Sequence, residues 1–208
     1  MCIRDRIVTR IEEISKSKVR VTLDSEFSLV IYKGELKKYH ITENEEFPQN
    51  QYELLLTVLE KRAKLRCMNL LKSRDYTVYQ LKTKLKENGY PEFLIDTAIE
   101  YVASYGYVDD ERYTRAYIES VSGTKSRNQI MNDLVRKGLD RQHIAEAYEE
   151  IMAEHNEDPE EDLIRRYIVK KHYDAATATY EEKQKLIAFL YRKGFGLDKI
   201  YKIVDENK

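Results

Sequence analysis

LKENGYPEFLIDTAI at 85–99, LVRKGLDRQHIAEAY at 134–148 and LYRKGFGLDKIYKIV at 190–204 align without a gap. In each, a Leu precedes a Gly by four residues, an apolar residue follows the Gly, and an Ile and a further apolar residue come six and ten after it. The matched sets are Leu85, Gly89, Tyr90, Ile95 and Ile99; Leu134, Gly138, Leu139, Ile144 and Tyr148; and Leu190, Gly194, Phe195, Ile200 and Val204. A Gly at this spacing reads as the stop of a helix: it takes a positive φ, and the apolar residue after it folds back onto the helix just ended. Starts are marked as well. Thr77 with Gln80, Ser126 with Gln129 and Thr179 with Glu182 each place a hydroxyl three residues before a side chain that closes a capping box. The first two starts lie twelve residues before their Gly and the third fifteen, so the third of these helices is about one turn longer.

Self-similarity of this kind belongs to stacked modules, none of which buries its apolar face alone. The spacing is irregular, 49 residues from Gly89 to Gly138 and 56 from Gly138 to Gly194. Each repeat holds a middle helix, a third helix after the Gly, and a first helix before both, at the end of 51–73, at about 110–121 and at about 160–173.

The N-terminal fifth differs in kind. VRVTLD at 19–24 and FSLVIY at 27–32, separated by Ser25 and Glu26, form a hairpin pattern of β-branched and aromatic residues, and 7–14 supplies a third strand. ELKKYHI after Gly34 suits one or two helical turns, and TENEEFPQN a loop. Asn50 with Glu53 then reads as the start of the first long helix, with Leu55, Leu59, Ala63, Leu70 and Leu71 as its apolar stripe. The fold class that follows is mainly α: three tandem three-helix repeats forming an elongated curved array, preceded by a small N-terminal β-hairpin or three-strand element. The segments are 1–50, 51–105, 106–156 and 157–208, with the opening MCIRDR at 1–6 matching nothing downstream and set apart as a leader foreign to the fold.

Composition excludes several classes. The 208 residues are 35% charged and 42% hydrophobic, and no apolar run approaches the roughly 20 residues of a membrane-spanning helix. Two cysteines, Cys2 and Cys67, provide no disulfide framework, which suits a reducing cytoplasm. The net charge of −1 hides two poles. Residues 61–86 carry nine cations against Asp75, and 140–162 carry ten acids against Arg141. Such asymmetry orients a protein toward a charged partner.

Adjacent carboxylates at Asp109, Asp110 and Glu111 raise the question of metal or acid–base chemistry. Asp109 and Asp110 stand where the first helix of the second repeat begins, and a side-chain oxygen there accepts the unpaired amides of the first turn. With no His or third carboxylate at ligand spacing, capping is preferred. HNEDPEED at 155–162 reads likewise as a linker followed by first-turn acids. His40, His143, His155 and His172 are scattered, Cys67 lies beside the apolar stripe, and no phosphate-binding glycine loop is present, so no catalytic residue, cofactor or metal is assigned. Tyr90, Tyr113, Tyr117, Tyr148, Tyr167 and Phe195 fall on the apolar periodicity or at the turns and are read as core rather than as platforms for bases.

GYVDDERY at 106–113, the turn Leu134-x-x-Lys137-Gly138-Leu139, and Arg74-x-x-Thr77-x-x-Gln80-Leu81 leading to Leu85 resemble the RecX family of recombination regulators, over about 7–208. The chain departs from the family pattern at Thr77 and Gln80, where Ser and Glu are frequent, at Thr114, where Ala is usual, and at Asn128 and Gln129, where basic residues are common. The resemblance implies a cytoplasmic bacterial protein, itself no enzyme, that lies in the helical groove of the RecA–DNA filament, blocks strand exchange and ATP hydrolysis by RecA, and promotes filament disassembly. The implied partners are the RecA filament and, beside it, single-stranded or duplex DNA, with no membrane, the protein acting as a monomer. Cations offered to acidic side chains and phosphates are Arg62, Lys64, Arg66, Lys72, Arg74, Lys82 and Lys86, with Arg136, Lys137, Arg192 and Lys193 near the turn glycines as a second set. The readings that compete are a helical protein binding nucleic acid on its own and, without a supporting constellation, a hydrolase or metal enzyme.

Overall fold

A computed structural model of the chain describes residues 5–154 and 158–206. Of the leader 1–6, residues 1–4 lie outside the described residues, as do 155–157 of the linker at 155–162. The elements in chain order are β1 (Arg6–Glu13), β2 (Lys18–Leu23), β3 (Phe27–Tyr32), α1 (Lys33–Lys38), β4 (Glu46–Phe47), α2 (Gln49–Leu71), α3 (Val78–Glu87), α4 (Glu92–Ser104), α5 (Asp110–Val121), α6 (Arg127–Arg136), α7 (Arg141–Ala153), α8 (Pro159–Lys170), α9 (Tyr180–Arg192) and α10 (Leu197–Glu206). The protein is therefore mainly helical, three three-helix repeats behind an antiparallel sheet. It divides into two compact units, Met1–Asp109 and Asp110–Lys208.

In the first unit the sheet runs β3-β2-β1-β4, every pairing antiparallel. The hairpin turns at Asp24 and Ser25, both at positive φ, and Asp24 is held there because its Oδ1 accepts the Ile7 amide at 2.9 Å. Two expectations are corrected. TENEEFPQN is not all loop, because Glu46–Phe47 pairs with β1 and the Phe47 ring is fully buried. A two-residue strand has no periodicity to read; a single buried ring pins it. Nor does Asn50 start the long helix. The N-cap lies two residues earlier, at Pro48, and the amide of Gln49, the first residue of α2, donates to Asp5 Oδ1 at 3.0 Å, so a distant acid supplies the cap. Asp5, and Arg6, which begins β1 and pairs with Asp24, are thus held by the fold.

Helix α2 serves two cores in succession. Tyr52, Leu55 and Leu59 close the sheet's core with Val8, Leu23, Leu29 and Phe47, while Ala63, Cys67 and Leu70 pack with Leu81, Leu85, Ile95 and Ile99 of the first repeat. In the second unit the second repeat is built on Ile118, Ile130, Leu134, Ile144 and Tyr148, and the third on Ile164, Ile187, Leu190, Phe195, Ile200 and Val204.

Repeat geometry follows from the aligned residues. At each middle helix the hydroxyl of Thr77, Ser126 or Thr179 accepts the amide three residues on, and the side chain of that residue accepts the hydroxyl residue's own amide. At the other end the Gly89 amide donates to the Lys86 carbonyl at 2.9 Å and the Tyr90 amide to the Leu85 carbonyl at 3.2 Å, the two bonds of a Schellman turn. The same pair closes on Val135 and Leu134 at Gly138, and on Tyr191 and Leu190 at Gly194. The Leu in the pattern is therefore the third residue from the helix end, whose carbonyl the turn captures and whose side chain the apolar residue covers. His40 and His172 occupy the same left-handed position after α1 and α8, which gives two of the scattered histidines a backbone role.

Two of these glycines also permit close packing. A Cβ at Gly89 would lie 2.2 Å from Val30 Cγ2 on β3, and one at Gly194 would lie 2.7 Å from Ser126 Oγ. Each turn is pressed against the module before it. Gly89→Ala is expected to lower stability by about 2–4 kcal/mol, from a strained φ and an overpacked contact with a β-branched side chain. Gly34→Ala, with nothing within 4 Å of its added Cβ, should change stability by less than about 1 kcal/mol. Urea unfolding of both variants beside the parent checks this contrast, and equal midpoints would contradict it.

Candidate partner interface

Arg62, Leu65, Arg66 and Asn69 recur at helical spacing, so they share one face of α2 while Ala63, Cys67 and Leu70 point into the core. That face looks onto the outer strand of the sheet. Where the Gly89 turn seats against Val30 it carries Asn88 and Tyr90 to the same place, and a cleft of about 450 Å³ opens, lined by Lys18, Val30, Ile31, Tyr32, Arg62, Leu65, Arg66, Asn69, Asn88 and Tyr90.

The two arginines differ in circumstance. Arg62 is satisfied: its Nη2 donates to Glu35 Oε1 at 2.6 Å, and its guanidinium lies 4.7 Å from the centre of the Tyr32 ring. Burial works to lower its pKa, but the hydrogen bond and charge of Glu35 prevail and the guanidinium is held more firmly charged than usual. Arg66 has no ion-pair partner among the described residues, and its Nε is buried without a hydrogen bond. Lys18 adds a third cation, its Nζ 5.6 Å from the Tyr32 ring. Burial raises the Tyr90 phenol, with the two arginines opposing, and pushes the Cys67 thiol up to about 11, so that thiol is packing and no nucleophile at neutral pH.

The remaining candidates divide by their partners. Lys64 pairs with Glu60 and sits over the Tyr101 ring, and Lys82 pairs with Asp96 at 2.7 Å. Arg74 lies over Tyr76, while Lys72, at the C-cap of α2, and Lys86, in the last turn of α3, are exposed. Among the described residues Lys61, Arg66, Lys72, Arg74 and Lys86 have no acidic partner.

In the second unit Arg136 is bound to Asp133, Lys137 lies 5.4 Å and 5.5 Å from the Tyr113 and Tyr117 rings, Arg192 donates to the Ala188 carbonyl of its own helix, and Lys193 lies near the Phe189 and Tyr167 rings. The acidic pole is largely spent within that unit. Glu149 pairs with Arg127, Glu150 and Glu154 with Arg115, Asp158 and Glu160 with Lys199, and Glu161 with Lys202 and Arg165. Asp109 stands directly before α5 and Asp110 is its first residue, its carbonyl accepting from Thr114 Oγ1 at 2.7 Å.

Asn128 and Gln129 have specific work. Gln129 closes the capping box on Ser126, and Asn128 Nδ2 donates to the Gly194 carbonyl at 2.9 Å, beside the bond from Ser126 Oγ to the Lys193 carbonyl at 2.9 Å. Glu160, nearly fully buried, accepts the Arg127 amide at 2.9 Å and Lys199 Nζ at 2.8 Å. Together these bonds join the second and third repeats.

Sequence reasoning missed Lys18, Tyr32 and Glu35, which share the cleft or its ion pair with α2. They lie 27 to 48 residues before Arg62 and Arg66, in a segment with no charge excess, so no linear signal marks them.

Family models describing the first, second and third three-helix domains of RecX match residues 63–101, 109–147 and 159–204. A regulatory protein RecX of Caldanaerobacter subterraneus subsp. tengcongensis is 30% identical over 202 residues, covering 96% of this chain and 98% of its own. Its counterpart from Clostridium acetobutylicum is 26% identical, covering 97% and 96%. A crystal structure of a regulatory protein RecX superposes with a TM-score of 0.63 at 20% identity over 97% of this chain and 99% of the other, and that of RecX from Lactobacillus salivarius with 0.62 at 20% identity over 71% and 95%; at that identity they speak for the fold.

Asp133 offers a titration test of the charge pairing around Arg136. The Lys125 hydrogen bond, helped by Tyr117 and Arg136 and opposed by burial, lowers its pKa to about 2. A depressed carboxylate contributes stability above its unfolded pKa and loses it as pH falls toward the folded one. Asp133 should therefore titrate near pH 2 by carboxyl NMR, with its share of stability lost between about pH 4 and 2. Lys125→Met should move the midpoint back up, and an unmoved midpoint would show that Lys125 is not the cause.

Proposed function

The chain belongs to the RecX family of regulatory proteins, and on that premise we propose that it binds the filament that RecA forms on DNA, inhibits its strand exchange and ATP hydrolysis, and promotes its disassembly. The reading is supported chiefly by the family match across all three repeats together with one electrostatic asymmetry: the acids of 140–162 are mostly paired inside their unit, whereas much of the basic segment 61–86 is not. Unpaired cations on a folded surface attract acidic side chains and phosphates at range, and the attraction is screened by salt. In this reading the protein works in the cytoplasm as a monomer, without a cofactor and without turnover of its own. No helix among the described residues is long and apolar enough to cross a membrane.

The decisive comparison is affinity for RecA-coated single-stranded DNA against bare DNA, with steady-state ATP hydrolysis by RecA recorded in parallel. Tighter binding to the coated form and slower hydrolysis are expected; equal or tighter binding to bare DNA would favour a protein that binds nucleic acid on its own. Within the basic segment, paired and unpaired cations should separate. Replacing Lys72, Arg74 and Lys86 with Ala is expected to weaken filament binding about tenfold and flatten its salt dependence, since fewer counterions are released. Replacing Lys64 and Lys82, which have partners in Glu60 and Asp96, should change affinity by less than about twofold. Parallel salt curves for the two variants would remove the basic segment from the interface.

A further inference from the structure

The cleft between α2 and β3 contains a donor that the fold does not satisfy. Arg66 Nε is buried and hydrogen-bonded to nothing, although Arg62, one turn earlier on the same face, has both a carboxylate and an aromatic ring. Glu35 is engaged elsewhere: Oε1 accepts Arg62 Nη2, and Oε2 accepts the Tyr32 amide at 2.8 Å, as part of the cap of α1, and Arg62 Nη1 at 3.4 Å. Asn88 is engaged too, its Nδ2 donating to the Lys84 carbonyl at 2.8 Å. Three cations, Lys18, Arg62 and Arg66, line the cleft, and no carboxylate does. A buried charged donor without an acceptor destabilises a fold, and an acceptor brought by a partner would satisfy it.

We propose that this cleft receives one carboxylate from a protein partner, an Asp or Glu side chain flanked by an apolar residue. The ionic part is a forked hydrogen bond to the Arg66 guanidinium in the long-range field of Lys18 and Arg62. The apolar part is the rim. Leu65 is 58% exposed and Tyr32 43%, an aliphatic and an aromatic side chain of the sort that surrounds a desolvated anchor at protein interfaces. A nucleic-acid backbone fits less well. It needs an open basic track with exposed ring faces, whereas the walls here include the apolar Val30, Ile31 and Leu65, and the guanidinium of Arg62 already lies against the Tyr32 ring.

This assignment rests on reading the chain as a regulator that binds another protein, but its test is independent of RecA. The side-chain Nε–Hε resonance of Arg66 is followed by NMR in the whole protein while the acetylated, amidated tripeptide Leu-Glu-Leu is added, then its Leu-Gln-Leu counterpart, then a short oligothymidylate. The Glu peptide is expected to shift the resonance saturably and the Gln peptide to leave it in place. Arg66→Lys, which keeps the charge and loses the fork, is expected to weaken peptide binding, read on neighbouring backbone amides, at least about tenfold with an unchanged unfolding midpoint. A response to the Gln peptide equal to that of the Glu peptide, or none to either, overturns the proposal. So does a response to the oligothymidylate at lower concentration than to the Glu peptide, which would make the cleft a phosphate site. If Arg66 responds as expected while the protein leaves RecA's hydrolysis untouched, the cleft stands and the filament reading falls. Inhibition of RecA with a silent Arg66 has the opposite meaning.

Discussion

The helical part of this protein depends on how three helices dispose of their last carbonyls. A Gly in the left-handed region and the apolar residue after it turn their amides back onto the third-last and second-last residues, so the chain reverses within two residues and the next helix starts at once. The apolar residue that closes the turn also enters the core, as Phe195 does against Tyr167. Stop, reversal and first core contact are one event. A side chain at the Gly would disturb all three.

The missing Cβ has a second consequence at two of the turns. Gly194 lets its backbone approach the N-cap of α6, so the Ser126 hydroxyl both accepts from the Gln129 amide and donates to the Lys193 carbonyl. A start signal of one repeat is thus bonded to the stop signal of the next. Glu160 strengthens that junction, joining the Arg127 amide to Lys199, whose pKa rises to about 12 because two carboxylates outweigh the cost of burial. Buried ion pairs contribute little net stability, but breaking one partner leaves a charge stranded, so such a junction holds a particular arrangement more than it strengthens the fold. At Gly89 the approach is instead to Val30, which sets α2 beside β3 and opens the cleft that holds Arg66.

Electrostatics separate what the chain keeps for itself from what it offers. Opposite poles in the sequence point to a charged partner, yet most acids of 140–162 close on Arg115, Arg127, Lys199 and Lys202 around them. On the basic side, Arg62, Lys64 and Lys82 have acidic partners while Lys72 and Lys86 remain exposed without them. The exposed pairs among these are worth little to stability, and it is the unpaired set that the proposed reading assigns to salt-sensitive attraction.

Much of this was legible in one dimension because it is local. Capping boxes and Schellman turns involve residues three to five apart, so Thr77 with Gln80 or Leu85 with Gly89 can be read directly, and the core positions follow from helical period. β4 could not be read, because a two-residue strand exists only where β1 waits for it; nor could the start of α2, whose first amide is met by Asp5. The cleft lay further still from view. Lys18, Tyr32, Glu35, Arg66 and Tyr90 share no motif, and whether a given cation is paired depends on which carboxylate the packing brings within hydrogen-bond reach. The sequence alone determined where the three middle helices of the repeats begin and end, since those bonds are made between near neighbours. Only the tertiary structure decided which charges are left without partners, because that is settled by residues whose distance along the chain bears no relation to their distance in space.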